Sequence, residues 1–86
     1  MKTLFWYKTC PFCGQGRLFV FKNIDRNKLY LHCEECETGY YDLEKLDKEH
    51  SFLTLLEDFK SIEASQDDIL KSKWRDLKFI SIVKDG

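Results

Sequence analysis

Residues 10–36 read Cys10-Pro11-Phe12-Cys13-Gly14-Gln15-Gly16-Arg17-Leu18-Phe19-Val20-Phe21-Lys22-Asn23-Ile24-Asp25-Arg26-Asn27-Lys28-Leu29-Tyr30-Leu31-His32-Cys33-Glu34-Glu35-Cys36. Two Cys pairs, each with two intervening residues, flank a 19-residue spacer. Two residues between ligands let a tight turn aim both sulfurs at one ion, about 2.3 Å away. Gly14 follows the first pair, where such a turn often needs a positive φ. The spacer has the length of a hairpin. Arg17–Lys22 is rich in strand formers, Asp25-Arg26-Asn27 supplies turn residues, and Lys28–His32 alternates apolar and polar. A hairpin returns its ends to one place, so Cys10, Cys13, Cys33 and Cys36 are expected to hold one Zn²⁺. Four thiolates fill the tetrahedron and leave no place for water, which makes the site structural.

Other pairings of these ligands follow different chemistry. A Cys-x2-Cys pair closes on itself only with strain, and the disulfide alternative is Cys10–Cys33 with Cys13–Cys36. The start, Met1-Lys2-Thr3-Leu4-Phe5-Trp6-Tyr7-Lys8, does not read as a signal peptide, and no apolar run reaches membrane-spanning length. A cytoplasmic chain with reduced thiols is therefore expected. Iron of the rubredoxin type takes the same four ligands.

Outward from the cysteines, Leu4–Tyr7 predicts a strand and Gly39-Tyr40-Tyr41 a third short one. Phe52, Leu55, Leu56, Phe59 and Ile62 share one stripe at helical spacing, with Asp47 or Ser51 as a cap. Ser65-Gln66-Asp67-Asp68 predicts a second helix start, with Ile69, Leu70, Trp74 and Leu77 on its buried side. Phe79–Val83 is β-branched and reads as a closing strand on an edge of the sheet. The expected fold is α+β in a single domain over 1–86: a ribbon over 1–45 and a helical tail over 46–86 packed on it.

The chain has 86 residues, so a metal staple would add needed stability. Net charge is −1, which gives the whole molecule no strong attraction to nucleic acid. Residues 1–41 carry +2 and residues 42–86 carry −3, and a tetrathiolate zinc site adds about −2.

From Cys10 to Tyr41 the chain resembles a zinc ribbon, a fold of transcription factors, ribosomal proteins and small bacterial proteins. The likeness rests on the four cysteines and Gly14, and it implies the fold rather than a function. The whole layout loosely resembles small bacterial ribbons with a helical tail, some of them immunity proteins of toxin systems such as contact-dependent growth inhibition. That resemblance implies an inhibitor of a basic toxin. Tyr7–Cys13 is also similar to the active-site strand and turn of glutaredoxins, which would make Cys10 a nucleophile and Cys13 its resolving partner. Against that stand the Gly14-Gln15-Gly16 turn in place of a helix, the lack of a second proline, and a second Cys pair without a role.

No nucleophile–base set, phosphate loop or paired-carboxylate motif is present, so no catalysis is expected. His32 could donate to a thiolate or simply sit on the strand surface, and His50 reads as a solvent-facing residue near a cap. A protein partner is favoured, with Glu34, Glu35, Glu37, Asp67 and Asp68 as acidic contacts and Trp6, Tyr40, Tyr41 and Trp74 as anchors if exposed. Asp42, Glu44, Asp47 and Glu49 form a further acidic group. The alternative is a nucleic-acid ribbon, using Arg17, Lys22, Arg26 and Lys28 with Phe19, Phe21 and Tyr30 between them.

Overall fold

A computed structural model describes residues 2–54 and 59–84. Seven strands, all paired antiparallel, make one sheet: β1 (Lys2–Thr9), β2 (Arg17–Asn23), β3 (Lys28–Cys33), β4 (Thr38–Tyr40), β5 (Ser51–Leu53), β6 (Ser61–Glu63) and β7 (Ile80–Lys84). Their spatial order is β5-β4-β3-β2-β1-β7, with β6 also on β2. A single 3-10 turn (Lys48–His50) and one short helix, α1 (Gln66–Leu70), complete the described residues.

The β2–β3 hairpin forms as its alternation predicts, in register from Leu18↔Cys33 at its base to Asn23↔Lys28 at its tip. Asn27 takes a positive φ of 53° in the turn. β2 is wide enough to serve two neighbours on its other edge. Its first half pairs with β1 through Trp6↔Phe19 and Thr9↔Arg17, and its second half pairs with β6 through Phe21↔Glu63 and Asn23↔Ser61. The β1–β2 register shifts between these two pairs, an irregularity of the kind that bends a strand away from its neighbour. β1 then pairs with β7 from Lys2↔Lys84 to Trp6↔Ile80, the closing strand read from Phe79–Val83.

Alternation sorts the side chains onto two faces. Leu18 and Val20 of β2, Leu31 and Cys33 of β3, and Tyr40 of β4 enter a core completed by Cys10, Leu43, Ala64 and Ile69. Trp6, Phe19, Phe21, Tyr30 and Phe52 occupy the other face. Tyr30 is buried there at the centre of an aromatic group, 5.6 Å from each of the Phe52 and Phe59 rings and 5.8 Å from Tyr41.

The expected α+β fold with a helical second half is corrected to a mainly antiparallel β fold. The stripe over residues 52–62 does not form the predicted helix. Phe52 lies in β5, Ile62 lies in β6, and Leu55 and Leu56 fall outside the described residues. The physical reason is the demand of strand edges. β4 and the second half of β2 carry backbone groups that need partners, and three-residue segments at 51–53 and 61–63 supply them. A lone helix of about ten residues is marginal in water, so sheet pairing prevails. Gly39 adds to this, because a Cβ there would run into the Phe52 ring that lies across it.

The second helix starts where predicted. Ser65 Oγ accepts from the Asp68 N–H (3.1 Å), and Asp68 Oδ2 accepts from the Ser65 N–H (3.0 Å), a reciprocal cap. It ends after five residues. Ser72 Oγ donates to the Ile69 carbonyl (2.7 Å) and accepts from the Trp74 N–H (3.0 Å), turning the chain out of the helix. Ile69 is buried as expected, whereas Leu70 and Leu77 are exposed and Trp74 reaches the core's margin beside Phe79. Asp47 does act as a cap, but of the single 3-10 turn, through the His50 N–H (3.0 Å). Among the described residues no helix is long and apolar enough to cross a membrane.

Candidate metal centre

β1 delivers Cys10 to the base of the hairpin. From there the chain folds back on itself: the Cys10 N–H donates to the Gly16 carbonyl (2.7 Å), and the Gly14 N–H donates to the Cys10 carbonyl (2.9 Å). Gly14 closes this knuckle at φ 69°, a conformation that costs glycine little. The second knuckle repeats the plan at the end of β3. The Glu37 N–H donates to the Cys33 carbonyl (3.2 Å), and Glu37, one residue past the second cysteine, takes φ 60°.

The two knuckles press together at Gly16. A Cβ at that position would lie 2.5 Å from Cys33 Sγ and 3.0 Å from the Glu35 side chain. Only a glycine lets the first loop pass this close to the second pair of sulfurs. The ring of contacts is closed outside by Arg17, whose backbone carbonyl accepts from the Glu34 N–H (3.2 Å) and whose guanidinium forks onto the Glu34 carboxylate at 2.7 and 3.1 Å.

All four Sγ atoms lie within 4.8 Å of one another. Cys10 and Cys36 are separated by 3.8 Å, and Cys13 and Cys33 by 3.5 Å. A tetrahedron of sulfurs around a metal at about 2.3 Å has edges of about 3.8 Å, so the donor set fits one tetrahedrally held ion. These spacings are far from the roughly 2.05 Å of a disulfide, and all four cysteines are free. Cys10 and Cys33 are buried while Cys13 and Cys36 are half-buried, so the cluster sits at the core's margin.

Each sulfur has its own hydrogen-bond partner, and two of them accept from backbone N–H groups. Cys13 Sγ faces the Gly16 N–H (3.4 Å) and Cys33 Sγ the Cys36 N–H (3.4 Å). Cys36 Sγ lies 3.2 Å from the Thr38 hydroxyl, and Cys10 Sγ lies 3.9 Å from the Tyr40 hydroxyl. Such bonds spread the charge of a tetrathiolate and orient its ligands. Burial, reinforced by the Cys10 sulfur, pushes the Tyr40 hydroxyl well above the usual phenol range, keeping it protonated as a donor. Without a metal the thiols are unlike. The Gly16 and Gln15 N–H groups pull Cys13 down, whereas burial pushes Cys33 up.

The other residues singled out in the sequence fall as follows. Tyr40 is in the core, which removes it as a surface anchor and gives it a role beside Cys10 instead. Glu34 is paired with Arg17. Glu37 is bound to His32 Nε2 (2.6 Å), so His32 serves the second knuckle's carboxylate rather than a thiolate. Asp67 pairs with Lys71 (2.9 Å) and Asp68 with Lys22 (3.4 Å). Glu35 is exposed beside the cluster. Tyr41 is half-buried, stacked on Phe52 at 4.9 Å, and Trp74 is half-buried against Phe79. Phe19 and Tyr30 are buried, which leaves little of the expected stacking surface on the hairpin beyond Phe21. Gly16 and Thr38 are site residues that the sequence reading missed, and Tyr40 was singled out as an anchor rather than as a neighbour of Cys10. The only signal for Gly16 was its place three residues after Cys13, and the two hydroxyls depend on the β3–β4 pairing.

Comparison of the chain with protein-family models, with curated proteins and with solved structures finds no match.

Proposed function

We propose that this chain is a non-catalytic binding module whose sheet is fastened by one structural zinc ion. The observation that carries this is the closed set of four sulfurs at the base of the hairpin, each with its own hydrogen-bond partner. Four thiolates complete a tetrahedral shell, so no coordination position is left for substrate or water. Zinc is favoured over iron because it needs no redox partner and tetrathiolate sites are its common structural form. This reading is supported over the glutaredoxin-like one by the burial of Cys10 and by the residues after Cys13, which turn into a strand instead of opening a helix to lower a thiol pKa.

The partner we propose is a basic protein, in the manner of a toxin inhibitor. Glu34, Asp67 and Asp68 are already paired with cations within the chain and Glu37 is hydrogen-bonded to His32, so the acidic surface that supports this reading is the loop of Asp42, Glu44 and Glu49, all exposed. Anionic faces of this kind steer association with cationic partners. The test is co-expression with the product of the neighbouring gene in its genome. Rescue of growth that is lost when the three loop carboxylates become amides supports the inhibitor. A neighbour that is harmless when expressed alone, or rescue indifferent to the loop, refutes it.

A second reading, nucleic-acid binding, is favoured by one observation: the Arg17 guanidinium lies 5.0 Å from the Phe19 ring centroid and 5.9 Å from that of Trp6. Such a cation–aromatic edge suits bases and phosphates, although Glu34 occupies the same guanidinium.

A further inference from the structure

At the opposite end of the β2–β3 hairpin from the cysteines, a cleft of about 470 Å³ opens between the hairpin tip and the segment after α1. Its volume is within the usual range for small-ligand sites. Its walls carry four lysines, Lys22, Lys28, Lys71 and Lys73, against one carboxylate, Asp68. Counting also Asp67, which pairs with Lys71, a chain with net charge −1 concentrates a local charge of +2 around one concavity. Concave, like-charged walls focus potential and raise the local concentration of counter-charged ligands.

Two of the lysines are committed. Lys22 reaches Asp68 at 3.4 Å, and Lys71 reaches Asp67 at 2.9 Å. Lys28 and Lys73 are exposed and make no ion pair among the described residues. The cleft is also lined by two aromatic side chains, Trp74 and Tyr41. Both are set in place. Trp74 packs beside Phe79 at 6.3 Å, and the Tyr41 hydroxyl accepts from the buried Asn23 amide at 2.9 Å.

We propose that this cleft binds a nucleotide unit: a phosphate taken by Lys28 and Lys73, and a base laid against Trp74. Point-charge ammonium groups suit a phosphate, and an indole face suits any base. A phosphate alone would leave the aromatic walls without a role, and an uncharged ring would leave two ammonium groups unmatched. The same chemistry is offered by a free mononucleotide and by a nucleotide within a single strand. The inference does not depend on which protein the acidic loop meets.

The test is calorimetric titration of the full, zinc-loaded chain with 5′-AMP, adenosine, ribose 5-phosphate and a short oligoadenylate. The expected result is a dissociation constant for 5′-AMP below about 1 mM, with adenosine and ribose 5-phosphate each at least about tenfold weaker. Lys28→Glu and Lys73→Glu, made singly and together on exposed positions, should weaken 5′-AMP at least about tenfold in the double variant without changing metal content. Trp74→Leu should abolish the preference for 5′-AMP over ribose 5-phosphate. Oligoadenylate binding that is tighter and falls steeply with salt would identify a strand as the source; equal or weaker binding would identify the free nucleotide. No heat with 5′-AMP at several-fold that concentration, equal affinity for ribose 5-phosphate, or affinity unmoved by the double charge reversal would overturn the proposal.

Discussion

The first knuckle turns on a glycine and the second on a glutamate. Gly14 and Glu37 occupy equivalent positions, one residue past the second cysteine of each pair, and both have the left-handed backbone such a turn requires. Glycine meets that requirement without a side chain, whereas an L-residue there is disfavoured by roughly 1 kcal/mol or more. The second knuckle offsets the strain with bonds that only a side chain and a neighbouring strand provide. Glu37 Oε2 lies 2.6 Å from His32 Nε2, and the Glu37 carbonyl accepts from the Thr54 N–H (3.0 Å) and hydroxyl (2.8 Å). Knuckle two is therefore stitched to β3 and to the residue after β5. Knuckle one is closed chiefly by its own bonds, Cys10 to Gly16 and Gly14 to Cys10. The lesson is that one coordination geometry is supported by local backbone freedom on one side and by tertiary contacts on the other.

The severest way to break this pairing is to remove a ligand. Cys13→Ser in the first knuckle or Cys33→Ser in the second should each abolish the cooperative melt, since metal binding and folding are linked here with a free energy on the order of 10 kcal/mol. Circular dichroism and bound-metal analysis read this directly. Survival of either variant with native stability would mean that its knuckle is not a ligand pair.

Gly16→Ala strikes the contact between the knuckles. The added Cβ would sit 2.5 Å from Cys33 Sγ, and we expect a loss of about 3 kcal/mol and weaker metal retention against a chelator. An unchanged melt would mean that the two loops do not touch at Gly16.

The backbone comparison itself is sharpened by exchanging the turn residues. Gly14→Ala should cost about 1–2 kcal/mol through its positive φ alone. Glu37→Ala keeps the strain and removes the His32 contact, for a loss of about 1 kcal/mol. Glu37→Gly relieves the strain while losing the same contact, so its net effect should be within about 0.5 kcal/mol of zero. Denaturant melts of the three variants give the order, and a Glu37→Gly loss equal to that of Glu37→Ala would show that the strain is not felt. In the metal-loaded protein, native-state amide exchange should open residues 10–16 before residues 33–38, because only the latter are tied to neighbouring strands.

The smallest effect lies outside both knuckles and serves as a reference. The Ser65 N–H, helped by the Ser65 hydroxyl and Lys22, holds the Asp68 carboxyl below the usual carboxylate range. Its contribution is thus fully present above the ordinary Asp pKa and is lost as pH falls through the lowered value. Asp68→Asn should flatten this segment of the stability–pH curve below about pH 4, leaving the metal content at neutral pH unchanged. An unaltered curve would remove the cap from the acid transition.

What was legible in the sequence was what local chemistry decides. Cys pairs with a glycine after the first, alternation over Lys28–His32, the Ser65 cap and the β-branched Ile80-Ser81-Ile82-Val83 run each specify their element from a few adjacent residues. The stripe Phe52, Phe59 and Ile62 misled because helical spacing does not report distant strand edges. Only the exposed ladders of β2 and β4, and the space above Gly39, decide that these residues join the sheet. Charges misled for the same reason. Glu34 looks free in sequence but meets Arg17 seventeen residues away, and Asp68 meets Lys22 forty-six residues away. Tyr40 could be assigned to core or surface until β4 placed it against Cys10.

The metal decides whether the four sulfurs fasten the sheet. Native mass spectrometry of the purified chain, with elemental analysis of the same sample, should find one zinc per chain, lost together with the cooperative melt when a strong chelator is added. A metal-free chain that keeps its full native melt would contradict it.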